Sequence, residues 1–104
     1  MNITDINMRP LEFWKNKNGT SDRSCSCGSW KKHWLNFSKQ PWPTICSVSG
    51  CNNIPTVGGH VYCSNVHGEK IVPLCDSCNH RTDEFCLKLG TIYVSANKSE
   101  TCES

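Results

Sequence analysis

The chain has no apolar run approaching the ~20 residues that a membrane-spanning helix needs. Its opening, Met1 to Pro10, has no hydrophobic stretch of the kind that begins a secretory signal, so the expected setting is a reducing cytoplasm. Hydrophobic residues make up only 37% of 104 positions and mean hydropathy is −0.49, which is thin for a self-supporting core. A small domain of this kind is expected to need a staple such as a metal ion. Gly58-Gly59 is too short for a phosphate-cradling loop. No serine or cysteine nucleophile motif, internal repeat or low-complexity tract is legible, and no small-molecule substrate is evident. Positive charge is not concentrated either: Lys31, Lys32, Lys39, Lys70 and Arg81 are scattered and the formal net charge is +2. That excludes a broad basic stripe along a nucleic-acid backbone.

Cysteine, by contrast, is abundant. There are nine, an odd number, so they cannot all pair as disulfides within one chain. Cys46 and Cys51 stand in a C-x4-C spacing, and Cys75 and Cys78 in C-x2-C. Two tight pairs can supply four thiolates to one tetrahedral zinc ion, and four protein ligands leave no open coordination position, so this first site reads as structural. The Cys75–Cys78 pair could instead suggest redox work, but a βαβ context is missing and Cys46 and Cys51 make metal the better account. A second zinc is expected on Cys25, Cys27, His33 and Cys102, which would staple both ends of the chain to the domain. His60, Cys63 and Cys86 are reserve candidates for its fourth ligand. Zinc on four thiolates carries −2, and on three thiolates with one imidazole −1, so the loaded chain comes to about −1 and is near neutral. The four Asn-X-Ser/Thr sequons, at Asn2, Asn18, Asn36 and Asn97, read as chance in a chain expected in the cytoplasm.

Residues 1–24 are expected to form a poorly ordered or extended arm, with Leu11, Phe13 and Trp14 as an apolar island that docks on its own domain or serves as a hook for a partner. Residues 25–104 are expected to form one zinc-binding domain: a knuckle and helix over 25–40, a central unit over 44–90, and a C-terminal strand and tail over 91–104. Ser29 is a good N-cap, Trp30, Trp34 and Phe37 recur on one helical face, and Pro41 and Pro43 end the helix. Thr56 to Tyr62 and Lys70 to Leu74 predict a hairpin around a turn at Ser64–Glu69. Residues 76–89 predict a helix with Phe85, Leu87 and Leu89 as apolar positions and Gly90 as its stop. Thr91 to Ala96 predicts a last strand. The fold class expected is a small α+β zinc-stabilised domain in the order knuckle, hairpin, knuckle, helix, with an added N-terminal helix.

Gly59-His60-Val61, followed by Ile71-Val72-Pro73-Leu74-Cys75-Asp76-Ser77-Cys78-Asn79, resembles the HNH zinc-finger family, the treble-clef or ββα-metal fold, in the branch whose last motif position is Asn. The resemblance covers roughly residues 44–90. It implies His60 as a general base that activates water and Asn79, with His80 beside it, as the helix ligand of Mg²⁺ or a similar ion. The chain departs from the family where Gly59 precedes His60, offering no carboxylate, and where Lys70 stands at the position of the middle Asn. His60 therefore has two further readings, a hydrogen-bonded hairpin histidine and a zinc ligand.

Three functions are expected from these residues. The first is a non-catalytic zinc-stapled module that binds a macromolecular partner, protein or nucleic acid. The second is a divalent-metal-dependent HNH-type endonuclease. The third is a small inhibitor or accessory protein that occupies a partner's surface.

Overall fold

The structure, a computed structural model, describes residues 12–20 and 23–103. Leu11 and the sequon at Asn2 lie outside them. Four short strands form one antiparallel sheet in the order β1-β2-β3-β4: β1 Trp14–Asn16, β2 Val57–Cys63, β3 Val66–Leu74 and β4 Val94–Ser95. Two helices accompany the sheet, α1 Trp30–Ser38 and the single turn α2 Asp76–Asn79, and a 3-10 turn spans Lys98–Glu100.

The hairpin is the centre of the domain. Val57 pairs with Leu74, Gly59 with Val72 and His60 with Ile71. The turn is tighter than predicted. Ser64 and Asn65 alone connect the strands, and β3 already begins at Val66. The residues read as turn are partly a bulge. Between the pairs Val61↔Lys70 and Cys63↔Val66, Tyr62 stands alone on β2 while His67, Gly68 and Glu69 fill β3. Gly68 absorbs the extra length at φ 80°, where a residue with Cβ would be strained.

Side chains alternate across the sheet, so each face carries its own core. One face holds Trp14, Val61, Val72 and Leu74, packed against Cys46, Val48, Cys75, Cys78 and Phe85. The other holds Ile71 and Val94 under Trp34, with Trp30 and Trp42 against them. Buried indole N–H groups need acceptors. Trp34 donates to the Ile92 carbonyl at 2.8 Å and Trp42 to the Pro55 carbonyl at 3.0 Å, and the two rings meet edge to face at 5.5 Å.

α1 starts where serine can cap it: Ser29 Oγ accepts from the Lys32 amide at 3.0 Å. It ends at Lys39, which takes the left-handed conformation at φ 60°. Its buried side chains are His33 and Trp34, whereas Phe37 is 39% exposed. The helix is thus rotated toward His33 relative to the aromatic stripe.

The helix predicted over 76–89 is only one turn long. Asn16 Nδ2 donates to the Cys78 and Arg81 carbonyls at 2.8 and 3.0 Å, taking acceptors that a longer helix would use itself. Beyond it the chain is extended. Phe85 exchanges backbone hydrogen bonds with Trp14 at 2.8 and 2.9 Å, and Leu87 bridges Val48. Phe85, Leu87 and Leu89 recur every second residue, which is the period of an extended chain.

β1 lies within the segment expected as an arm. Trp14 pairs with Cys63 and is 1% exposed, while its neighbour Phe13 is 49% exposed. The apolar island therefore splits, with one aromatic in the core and one facing solvent. No helix among the described residues is long and apolar enough to cross a membrane.

Candidate metal centres and the adjoining cleft

Two groups of sulfur and imidazole atoms converge among the described residues. In each, the potential ligand atoms lie within 4.8 Å of one another. The first comprises Cys46, Cys51, Cys75 and Cys78, and the second Cys25, Cys27, His33 and Cys102. All nine cysteines are free thiols. Four cysteines, or three cysteines with one histidine, are the ligand sets of structural zinc, and the two clusters are consistent with two structural zinc sites.

The first centre is assembled by a loop and a helix start. The Cys46–Cys51 loop closes on itself through the Cys51 amide to the Val48 carbonyl at 3.0 Å, with Gly50 at φ 85° making the bend. The Ser47 amide ties this loop to β3 through the Pro73 carbonyl at 3.1 Å. Cys75 ends the hairpin and begins α2, whose first turn brings Cys78 to the same side. Cys51 Sγ and Cys75 Sγ are 3.7 Å apart. A tetrahedron with zinc–sulfur bonds of about 2.3 Å has an edge of ~3.8 Å. The Cys75 amide points at Cys46 Sγ at 3.4 Å, and Asn53 Nδ2 at Cys75 Sγ at 3.6 Å.

These donors favour thiolate. Burial pushes Cys75 up, but hydrogen bonds from Ser77, the Cys78 amide and Asn53 outweigh it and bring the thiol down to about 6. Cys46 and Cys78 are raised, chiefly by burial away from water. A cation in their midst is what would reverse that cost.

The second centre joins the segment before α1, and α1 itself, to the C-terminal tail. Cys25 and Cys27 flank a tight turn in which the Gly28 amide donates to the Cys25 carbonyl at 3.0 Å and Gly28 takes φ 105°. His33 comes from the first turn of α1 and is fully buried between the rings of Trp30 and Phe37. Its Nε2 is 2.9 Å from the Ser95 carbonyl, and its Nδ1 is 3.0 Å from Cys25 Sγ. A carbonyl can only accept, so Nε2 carries the proton and Nδ1 presents its lone pair to the cluster. Cys102 arrives from the tail, 3.0 Å from Cys25 Sγ. This is closer than a tetrahedral edge, so an ion has to part the two sulfurs. The hydrogen bond to Cys25 lowers Cys102 to about 6, whereas burial raises Cys25 to about 12.

His60, Cys63 and Cys86 join neither cluster. Cys63 belongs to the core against Trp14 and Val61. His60 lies on β2 facing α1, with its ring edge-on to Trp30 at 4.4 Å. Burial, with the charge of Arg23 adding to it, lowers its pKa to about 4. His60 and Asn79 both line a cleft of about 400 Å³ between α1 and the start of β2. His80 is exposed beside it on the chain, with Nδ1 at 2.8 Å from the Asp76 carbonyl.

Two features escape a reading of the sequence. Lys88 turns its ammonium into the Cys46–Cys51 loop, donating to the Cys46, Val48 and Cys51 carbonyls. Gly58 lies directly against the first turn of α1: a Cβ there would stand 2.6 Å from the Trp30 carbonyl carbon. The adjacent Gly58-Gly59 pair was the one available signal of that close approach.

No family model matches the chain, and neither a curated protein nor a solved structure matches it.

Proposed function

We propose that this chain is a zinc-stapled module of the HNH type, treble-clef in outline, that performs no hydrolysis and binds a macromolecular partner, with nucleic acid the favoured class. The likeness is supported by the order of parts: a cysteine loop, a hairpin, a second cysteine pair opening a helix, with His60 on the first hairpin strand and Asn79 on the helix facing one cleft. Free thiols throughout support a reducing compartment, the cytoplasm.

The observation that carries the non-catalytic reading is the position before His60. Gly59 offers no carboxylate there, and a Cβ on it would stand 2.4 Å from a Leu74 methyl and 2.9 Å from Asn79 Oδ1, so any side chain would have to displace them. Among the described residues no Asp or Glu lines the cleft, which is edged by Arg23 and Lys31. Lys70, at the family's middle position, holds its ammonium over Tyr93 at 5.7 Å. Mg²⁺ requires hard oxygen donors, and this set does not fit it. Cationic edges do suit a phosphate backbone.

Plasmid DNA incubated with the zinc-loaded protein and Mg²⁺, Mn²⁺ or Ni²⁺ is expected to stay intact. Nicking that disappears in His60→Ala would overturn the proposal. Gel-shift affinity for a short oligonucleotide is expected to fall steeply with salt. Absent or salt-insensitive binding would move the partner to protein.

The shared cleft of His60 and Asn79 favours one second reading, an HNH-type endonuclease. The same nicking assay separates the two.

A further inference from the structure

We propose that the cleft at the start of α1 is a binding site for a single phosphate-type oxyanion. This deepens the reading above, on which it rests for its biological source, by giving one backbone phosphate a seat on the N-terminal helix.

The amides of the first helical turn have no partners within a helix. Of the residues that carry them, Trp30 and Lys31 line the cleft. Ser29 Oγ is already engaged with the Lys32 amide, so capping leaves the two preceding amides unserved. Gly58 lets β2 approach this turn without a side chain between them: a Cβ on it would lie 2.9 Å from the Lys31 nitrogen. Backbone therefore meets backbone at this point, and no Gly58 side chain covers the cleft that both residues line. Helix termini of this kind attract anions through free N–H groups and the positive end of the helix dipole.

A second observation points to a ligand independently. His60 lines the cleft, is 5% exposed, and its Nε2 is buried without a hydrogen-bond partner among the described residues. A buried imidazole nitrogen lacking a partner is uncommon and calls for a reason. An oxyanion seated beside the ring supplies one.

The lining selects for negative charge. Arg23 and Lys31 contribute cations and Thr56 a hydroxyl, and among the described residues no carboxylate lines the cleft. Glu69 reaches only the Arg23 guanidinium, at 2.6 Å, and does not line the cleft. Lys31 Nζ rests over Trp42 at 4.8 Å, a contact it can leave for a stronger partner.

The test is a titration of the ¹⁵N-labelled, zinc-loaded chain with inorganic phosphate, ionic strength being held constant with sodium chloride. Saturable shifts are expected in the amides of Trp30, Lys31, Gly58 and Gly59 and in the His60 ring. Lys31→Gln is expected to weaken binding about tenfold, as loss of a charge-assisted hydrogen bond does. Lys32→Gln, one residue on and outside the cleft, is expected to leave it unchanged. Shifts that do not saturate, that chloride reproduces, or that both variants reduce equally would overturn the proposal. Phosphate binding without oligonucleotide binding supports this site and counts against the nucleic-acid reading. Oligonucleotide binding with no phosphate response at these residues does the reverse.

Discussion

Lys88 Nζ donates to the Val48 carbonyl at 3.0 Å, across a loop whose two ends belong to the four-cysteine cluster. The same ammonium reaches the carbonyls of Cys46 and Cys51. It holds the loop in its ligating shape and sets a positive charge beside the cysteine cluster. Lys88→Met keeps the aliphatic stem and removes the donors. Loss of an outer-shell partner typically costs about 10–100-fold in metal affinity. Zinc transfer to a chromophoric chelator is expected to accelerate by that order at the four-cysteine site and to stay unchanged at the site containing His33. Cobalt substitution distinguishes the sites, because charge-transfer intensity scales with the number of thiolates.

Among the described residues, Cys102 is the one from the tail that reaches the second cluster. Cys102→Ser is expected to lower the metal count of the intact protein from two zinc ions to one by native mass spectrometry. The Lys98–Glu103 segment should then lose amide-exchange protection, while the hairpin keeps its own. Loss of both ions together would show that the two centres are not independent.

His60 makes stability depend on acid in a defined window. Its pKa is near 6.5 in an unfolded chain and about 4 in the fold, where burial disfavours the charged ring. Between these values the unfolded state binds more protons, so stability falls as pH drops from 6.5 to 4 and is flat below. The loss amounts to ~3 kcal/mol. Zinc release also begins in acid, so the comparison is made with His60→Gln at matched zinc content. Denaturation midpoints are expected to fall faster with acidity in the natural protein than in the variant. Parallel pH profiles would contradict this account.

Asn16 stops α2 by taking the Cys78 and Arg81 carbonyls. Asn16→Ala removes both of these bonds and leaves the Cys78 carbonyl with the Arg81 amide, at 3.2 Å. A cost of ~1–3 kcal/mol is expected, visible as a lower melting temperature. Asn16→Asp is expected to cost more, since a carboxylate oxygen would face carbonyl oxygens.

Gly58→Ala separates β2 from α1. Its Cβ would meet backbone that cannot yield, with Trp30 atoms at 2.6 Å. The variant is expected to lose the Trp30–His60 ring contact, read as a changed indole fluorescence, before the zinc centres fail.

Some of this was legible in the residues. C-x4-C and C-x2-C announce a metal because a short loop is how a chain delivers two ligands to one ion. Ser29 announces α1 for an equally local reason, a side-chain oxygen one turn from an unserved amide. Phe85 and Leu87 carried their true state in a two-residue period, but Cys78 at the head of the stretch suggested that the helix ran on. What stopped it was Asn16, sixty-two residues earlier in the chain. Three-residue strands such as β1 leave almost no pattern of their own, since their partners supply the reason to be extended.

The amino-acid order alone determined the chemistry of this protein: which atoms can hold zinc, where α1 can begin, and that no carboxylate precedes His60. Those follow from bonding preferences and short-range geometry, which act within a turn or a loop. Only the tertiary structure decided that α1 would press its first turn onto Gly58, bury His60 under Trp30 and leave a cationic cleft between them. Such a contact joins segments far apart in the chain. It exists because burying Trp34, Ile71 and Val94 together positions the helix, and no local preference encodes that position.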